Sequence, residues 1–404
     1  MDVEVKALAS EELDSFIRTI SRVFAHEISD ADLQAERWIL ELGEVLGAVE
    51  AGSLVGGLGA CPLDLTVPGG VVETTGIVTT GVLPNRRRRG ILTSLMRQHL
   101  EDAHERGAVL SILWASEGAI YGRFGYGAGT LSCRFDIARE HTAYAARHMP
   151  AGEVTLLSRE EAEEAFPVVY EQLRAGQPGV VSRSDVWWRY WLYEPERKEH
   201  PGQPFYAVHE SAGGLDGYVI YRQRRDWTDA SPNGSIEVEE LVANTPGAVA
   251  DLWRFVFDVD LVARFSGGQR PVDEPLLHLL REPRRLRLAI GDGLWVRPID
   301  IQKALASRRY ATEGRIVLQA LDPFCPWNDR HLALDGGPDG AECGPTDAQP
   351  EIFLDASALG SVLLGGTRFR SLARGGRIVG TDEALDRADA MFGWDPVPWC
   401  PGIF

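Results

Sequence analysis

The stretch "GIVTTGVLPNRRRRGILTSLM", residues 76–96, decides the fold. It starts as a β-strand, turns at Pro84, passes through four arginines and Gly90, and continues as the amphipathic helix "ILTSLMRQHLEDAHERG". Gly107 stands where such a helix stops. Backbone N–H groups at a helix start, with no Cβ at Gly90, make a cradle for an anion. Arginines beside the cradle add charge-assisted hydrogen bonds to phosphate. Taken alone, the run Arg86 to Arg89 reads equally as a solvated basic loop or a nucleic-acid patch.

The flanking residues narrow this. Upstream, "VLGAVEAG", "LVGGLGACPLDLTV" and "VVETTGIVTTGVL" read as strands, with Gly52 and the "PGG" at 68–70 in turn positions. Before them, "LASEELDSFIRTISRVF" reads as a helix with Ser10 as its cap. Downstream, the apolar strand "AVLSILWAS" runs into "EGAIYGRFGYG". A strand, a crossover helix and a fully apolar strand make a β-α-β unit, so the two strands are predicted to be parallel.

Residues 152–290 repeat the plan. A helix at "SREEAEEAFPVVYEQLRA" precedes the strands "PFYAVHES", "LDGYVIYRQR" and "SIEVEELVAN", and "TPGAVADLWRFVFDVD" follows as a helix capped by Thr245 with Pro246 in its first turn. No basic glycine loop occupies this second strand-to-helix junction. From about residue 292, short strands and helices alternate to the end. The reading is an α/β (α+β) chain in three units, 1–145, 146–290 and 291–404.

Composition restricts the partners. The chain has 404 residues and a formal charge of −18, which disfavours nucleic acid and anionic lipid and attracts cations. Five scattered cysteines show no C-x-x-C spacing, and the nine histidines show no ligand spacing, so neither a disulfide framework nor a metal site is expected. His99 reads as a surface helix residue. The charged start and the lack of a long apolar run predict a soluble cytoplasmic protein with no membrane partner. The tail is different: Val397 to Phe404, "VPWCPGIF", carries no charged side chain. It reads as a segment that docks in a preformed place.

The loop and the later "IYGRFGYG" together resemble the GCN5-related N-acetyltransferases. That fold grips the coenzyme A pyrophosphate on R-x-x-G-x-G/A, met here by Arg87, Arg88, Arg89, Gly90 and Ile91, with Leu92 in place of the last small residue. Its Y-x-x-x-G-F/Y signature falls on Tyr121, Gly125 and Tyr126. More closely, "VLPNRRRRGIL", "ASEGAIYGRFGYG" and "GPTDAQPEI" resemble the Eis family (enhanced intracellular survival) along the whole chain. The resemblance implies two tandem acetyltransferase folds, the second degenerate, and a sterol-carrier-protein-like domain. It also implies acetyl-CoA as co-substrate, no metal, a homohexamer, and acetylation of aminoglycosides or other polycationic amines.

Residue roles follow from the same resemblance. Thr80, Gly81 and Val82 are expected to line the coenzyme through their backbones, and the loop from Arg88 to Thr93 to meet its pyrophosphate, with Arg87 close by. Ser116 and Glu117 fall on coenzyme contacts, although Glu117 also reads as a helix-start acid. Tyr121 is the expected donor to the leaving thiolate, since a phenol near 10 and a thiol near about 8.5 are suitably matched. The terminal carboxylate, carried by Phe404, is the expected base. An ordinary α-carboxyl titrates at about 3.3–3.7, which is low for that task, so binding and orienting the amine is part of its role. A backbone N–H near Val82 suits the oxyanion, and Tyr126 reads as packing. Glu27, Asp30 and Trp38 are the expected acceptor contacts, through charge and ring faces.

Two other functions remain open at this level. A protein-lysine acetyltransferase predicts a shallow open cleft. A non-catalytic acyl-CoA- or lipid-binding protein predicts a damaged tyrosine or loop, and both are intact.

Overall fold

The computed structural model describes residues 3–193, 202–229 and 231–404. The first sheet has seven strands, in the order Glu4–Ala7, Glu44–Glu50, Ser53–Val67, Gly70–Val82, Leu110–Trp114, Leu294–Pro298 and Gly127–Ala128. Gly70–Val82 and Leu110–Trp114 are parallel, as the apolar second strand predicted. The crossover is the helix Ile91–Glu105, and Gly107, at φ 83°, follows its end.

The second sheet also has seven strands: Ala289–Asp292, Leu131–Ala138, Val262–Arg270, Gly234–Ala243, Gly214–Arg224, Pro204–Ser211 and Gly152–Leu157. Its helices Arg159–Arg174 and Pro246–Asp258 start at side-chain caps, Ser158 and Thr245. Ser10 does not cap. It opens a 3-10 turn, the helix begins at Leu13, and the Ser10 hydroxyl instead accepts from Arg37 at 3.1 Å. The carboxylate of Glu12 reaches back to the Ala9 N–H and meets the end without it.

Sheet membership does not follow chain order at the two crossings. Leu131–Ala138 leaves the first sheet for the second, and Leu294–Pro298 returns from the second to the first. The crossings are tied together, because Thr130 accepts from Gly293 N–H at 3.0 Å and, through its hydroxyl, from Leu294 N–H at 2.8 Å. The two sheets are therefore one mechanical unit, and a cleft between them has fixed walls.

The third sheet, Gly340–Pro345, Arg330–Gly337, Gly314–Leu321, Ile352–Asp355 and Val379–Gly380, packs with helices Ala356–Val362 and Asp382–Phe392. Its core is continuous with the first sheet through Ile112, Leu294 and Val296. No helix among the described residues is long and apolar enough to cross a membrane.

Candidate active site

The strand Gly70–Val82 outruns its parallel neighbour. Pairing with Leu110–Trp114 ends at Ile77 opposite Leu113, while pairing with Ser53–Val67 continues to Val82 opposite Gly56. The sheet therefore splays after Ile77. A bulge at Val78 marks the point, since Ile77 faces Ala60 and Thr79 faces Gly59. Leu83 N–H donates to Val55 at 2.9 Å. Strand alternation then turns the Val82 N–H toward the open side, where an acyl oxygen can accept from it. Thr80 is fixed by its hydroxyl on the Gly57 carbonyl at 3.0 Å.

Past Val82 the chain makes the cradle that the sequence predicted. Arg88 (φ 62°) and Gly90 (φ 81°) are both left-handed, and the helix starts at Ile91, leaving the N–H groups of Leu92 and Thr93 in its first turn. The four arginines divide by role. Buried Glu50 takes Arg86 and Arg89, each at 2.5 Å, and these cations hold its carboxyl below the usual range. Arg87 donates to the Val82 carbonyl at 3.2 Å. Arg87 and Arg88 are the loop cations without a carboxylate partner among the described residues. Arg89, expected as a coenzyme contact, is thus already engaged in bracing the loop.

The tyrosine loop follows the strand end. Ser116 and Glu117 are exposed, and Glu117 makes no side-chain cap on the short helix Gly118–Tyr121. Tyr121 is buried, and burial pushes its phenol above the ordinary tyrosine value. The Ser116 side chain opposes that shift and Glu117 adds to it. Tyr126 lies edge-on to Tyr121 at 6.2 Å and is fully buried, its hydroxyl 2.7 Å from that of Ser111. His99, expected on the surface, is instead fully buried 3.4 Å from the same Ser111 hydroxyl. Burial holds its ring near a pKa of about 3, so it is neutral. Its helix faces the sheet on that side, which a single polar residue in the pattern did not reveal.

The third unit supports this loop from below. Buried Arg297 pairs with both Asp322 oxygens at 2.8 Å and lies under Gly125. The Ser357 hydroxyl donates to the Tyr126 carbonyl at 2.8 Å. Gly125 is needed twice, for its φ of 85° and because a Cβ there would fall 2.6 Å from Arg297 Nε. Gly125→Ala is expected to cost at least about 1–2 kcal/mol from the backbone alone. Thermal melts together with turnover test this. An unchanged Tm would show that the loop does not need that conformation.

A cavity of about 640 Å³ opens on the splayed strand at Val78 and Thr79. The helix Leu13–Val23 and the segment through Phe24, His26 and Ile28 form one wall. The second sheet supplies the other, with Arg222, Glu237, Glu239 and Gln269. Glu36 lines it as well, and the Tyr190 hydroxyl donates to Glu36 at 2.8 Å. Arg222 pairs with Glu239 at 2.6 Å.

The tail closes this cavity. Trp399 N–H donates to Pro178 at 2.9 Å and its indole to Gln269 at 2.7 Å, while Gln177 holds the Val397 carbonyl at 2.7 Å. Gly402 lies against Arg183 and Trp191. Arg183 is itself buried on both oxygens of Glu240 at 3.0 Å. The Phe404 ring then crosses to the first sheet, close over Gly76 and edge-on to Trp187 at 6.5 Å. The second sheet is the clamp, and Phe404 ends in the cavity wall beside the splay.

Glu27, Asp30 and Trp38 do not line the cavity. Asp30 is exposed and pairs with Arg18 at 3.1 Å, Glu27 is exposed, and Trp38 lies under Arg189 at 3.9 Å in the contact between helices Asp30–Leu40 and Asp185–Trp191. Glu36 faces the cavity and Trp38 does not, because residues two positions apart on one helix lie roughly 200° apart around its axis. An acid between Leu33 and Leu40 on the apolar stripe was the available signal. Nothing local marks Glu237, Glu239 or Gln269. Among the described residues no group of His, Cys, Asp and Glu could hold a metal.

Comparison with known proteins agrees with this architecture. Two acetyltransferase (GNAT) domain families match residues 4–129 and 179–297, and a sterol carrier protein domain family matches 301–401. An uncharacterized N-acetyltransferase of Streptomyces coelicolor is 36% identical, with both chains covered in full. The N-acetyltransferase Eis of Mycobacterium tuberculosis is 36% identical over 86% of this chain and 85% of its own. The crystal structure of Eis1 from Mycobacterium abscessus superposes with a TM-score of 0.87 at 34% identity, covering 99% of this chain and all of the other.

Proposed function

Because the chain belongs to the Eis family of GNAT N-acetyltransferases, we propose that it moves the acetyl group of acetyl-CoA to an amine of a small polycationic acceptor, with aminoglycosides the first class to test. The observation that carries this reading is the position of the cavity. It meets the splayed strand at Val78 and Thr79, a few residues before the anion cradle on the same chain segment. A thioester held on the strand and an amine in the cavity would come together at the bulge.

Each residue then has one task. The cradle from Arg87 to Thr93 holds the pyrophosphate, and Thr80 to Val82 align the acyl arm along the open strand edge. The terminal carboxylate on Phe404 attracts the ammonium and receives its proton. The free amine forms the new C–N bond, and the Val82 N–H stabilises the charge that develops on the carbonyl oxygen. As the C–S bond breaks, Tyr121 gives its proton to the sulfur.

A cavity walled by two sheets suits a small molecule better than the shallow cleft that a protein lysine needs. The test is coenzyme A release from acetyl-CoA with kanamycin and neomycin, run beside lysine peptides. Turnover with the aminoglycosides is the expected result. Turnover with peptides alone would reassign the acceptor, and none with any amine would remove the activity.

A further inference from the structure

The docked tail rests on a short rail tied to both sheets. Residues 179–182 run antiparallel beside the strand Ser53–Val67 of the first sheet, with Leu65 opposite Val181. Gly179 N–H donates to the Thr66 carbonyl at 2.8 Å, Thr66 N–H to Val180 at 2.9 Å, and Ser182 N–H to Asp64 at 2.8 Å. The next residue, Arg183, reaches the second sheet, where both its terminal nitrogens meet Glu240 on the strand Gly234–Ala243. Gln177 and Pro178, just before the rail, hold Val397 and Trp399. Gly179 carries the Trp399 carbonyl, which a Cβ there would approach to 2.8 Å. The tail thus takes its register from Ser53–Val67, the strand that pairs with Gly70–Val82.

Past Trp399 no backbone-to-backbone hydrogen bond fixes the tail among the described residues. Packing at Gly402 takes over. A Cβ on Gly402 would fall 2.4 Å from Arg183 Nη2 and 2.7 Å from Trp191 Cη2, so the backbone lies directly on the guanidinium and the indole. Neither surface can give way. The guanidinium sits 4.2, 5.0 and 4.4 Å from the ring centres of Tyr170, Trp188 and Trp191, and its partner Glu240 also accepts from the Tyr218 hydroxyl. A buried ion pair with its hydrogen bonds complete resists displacement, because any shift leaves a charge unpaired away from water. A long, flexible cation has here become a fixed surface. Only Ile403 and Phe404 follow it, and they end in the cavity with the Phe404 ring over Gly76.

We propose that Arg183, fixed on Glu240, is the positioning residue for the terminal carboxylate: it seats Gly402, and the two residues beyond that seat set where the carboxylate stands in the cavity. The proposal rests on the acetyltransferase reading above and adds how its base is aimed. Arg183 acts through Gly402 and touches neither substrate. The bare backbone at 402 is then a requirement of the chemistry, since a side chain there lifts the last two residues off the seat. The second acetyltransferase fold, which lacks the basic glycine loop, serves to aim the base of the first.

Two readouts are taken on the full chain, on Gly402→Ala and on Arg183→Lys. One is steady-state kinetics with acetyl-CoA and whichever amine among kanamycin, neomycin and lysine peptides the parent acetylates. The other is the rate at which carboxypeptidase A releases the terminal Phe. Gly402→Ala adds one methyl group that only the tail can accommodate. Its kcat is expected to fall at least about tenfold while KM for acetyl-CoA stays within about twofold, since a shift of about 1 Å at a reacting group can cost 10²-fold. Phe release should rise at least about tenfold, because cleavage follows the population of the undocked end. Arg183→Lys keeps the charge but removes Nη2 and the two-pronged hold on Glu240, and should move both readouts in the same direction. The double variant should be no worse than the more damaged single one, because both changes act on one contact. Circular dichroism verifies the fold, and Gly402→Ala, on the tail, decides alone if Arg183→Lys does not fold.

Unchanged Phe release in Gly402→Ala, or a kcat that stays at the parent's value, overturns the proposal. Equal damage to KM for acetyl-CoA also overturns it, because the seat would then be general scaffold. An active parent with an insensitive Gly402→Ala removes the positioning role alone. If the parent acetylates no amine although acetyl-CoA binds, the acetyltransferase reading falls and the positioning role falls with it.

Discussion

Tyr121→Phe is expected to lower kcat by about 10²–10⁴-fold while leaving KM for both substrates and the melting temperature nearly unchanged. The substitution removes one hydroxyl and keeps the ring. The edge contact with Tyr126 and the burial of the side chain both persist. What disappears is the proton that the departing thiolate would accept. Burial raises the Tyr121 pKa, so the phenol stays protonated across the physiological range and is available as a donor. The sign fixes the pH behaviour. Activity that depends on the protonated phenol is present below its pKa and falls only as pH rises through it, so the alkaline limb of kcat should lie above the ordinary tyrosine value of about 10. In Tyr121→Phe that limb should disappear with the activity. A variant that keeps wild-type kcat would show that Tyr121 only packs, and the thiolate would need another donor.

Deleting Phe404 is expected to cost about 10²–10³-fold in kcat/KM. Two effects combine. The ring that fits over Gly76 is lost, and the terminal carboxylate moves back by one residue onto Ile403, half exposed at the cavity. A displacement of about 1 Å at a reacting group can cost 10²-fold, and one residue of extended chain spans roughly 3.3–3.6 Å. The rest of the tail should stay docked, because Trp399, Val397 and Gly402 are held by Pro178, Gln177, Gln269 and Arg183. Phe404→Leu separates the two effects. It keeps a carboxylate at the same chain position with a smaller anchor, and should lose about tenfold or less. Steady-state kinetics on the three proteins decides. Deletion with kcat/KM within twofold of the parent would leave the transferase intact and remove the carboxylate from its chemistry.

What could be read from the chain alone was whatever the chemistry demands within a short span. An anion cradle needs a strand, a left-handed turn and a helix start in consecutive residues, so the shape of the segment Arg87 to Thr93 was legible. The same holds for Tyr121 and Gly125, four residues apart on one loop, and for the cap Thr245. Alternating and helical patterns located most strands and helices, because each has one buried face. Ser10 and His99 show the limit of local reading. A neighbouring carboxylate reached the helix end first in one case, and in the other a polar residue turned inward onto Ser111.

The cavity between the two sheets was different in kind. Its walls are Phe24 and Glu36 from the first unit, Glu237, Glu239 and Gln269 from the second, and Phe404 from the end of the chain. No spacing rule joins residues so far apart. They meet because strands Leu131–Ala138 and Leu294–Pro298 exchange between sheets and lock them, and because the tail is clamped on one sheet and ends on the other. Local chemistry made the anion cradle and the N-acetyltransferase family legible in the sequence. Only the long-range packing of two sheets and a docked tail decided which acids face the cavity, since that depends on the rotation of helices and strands against one another and not on their order.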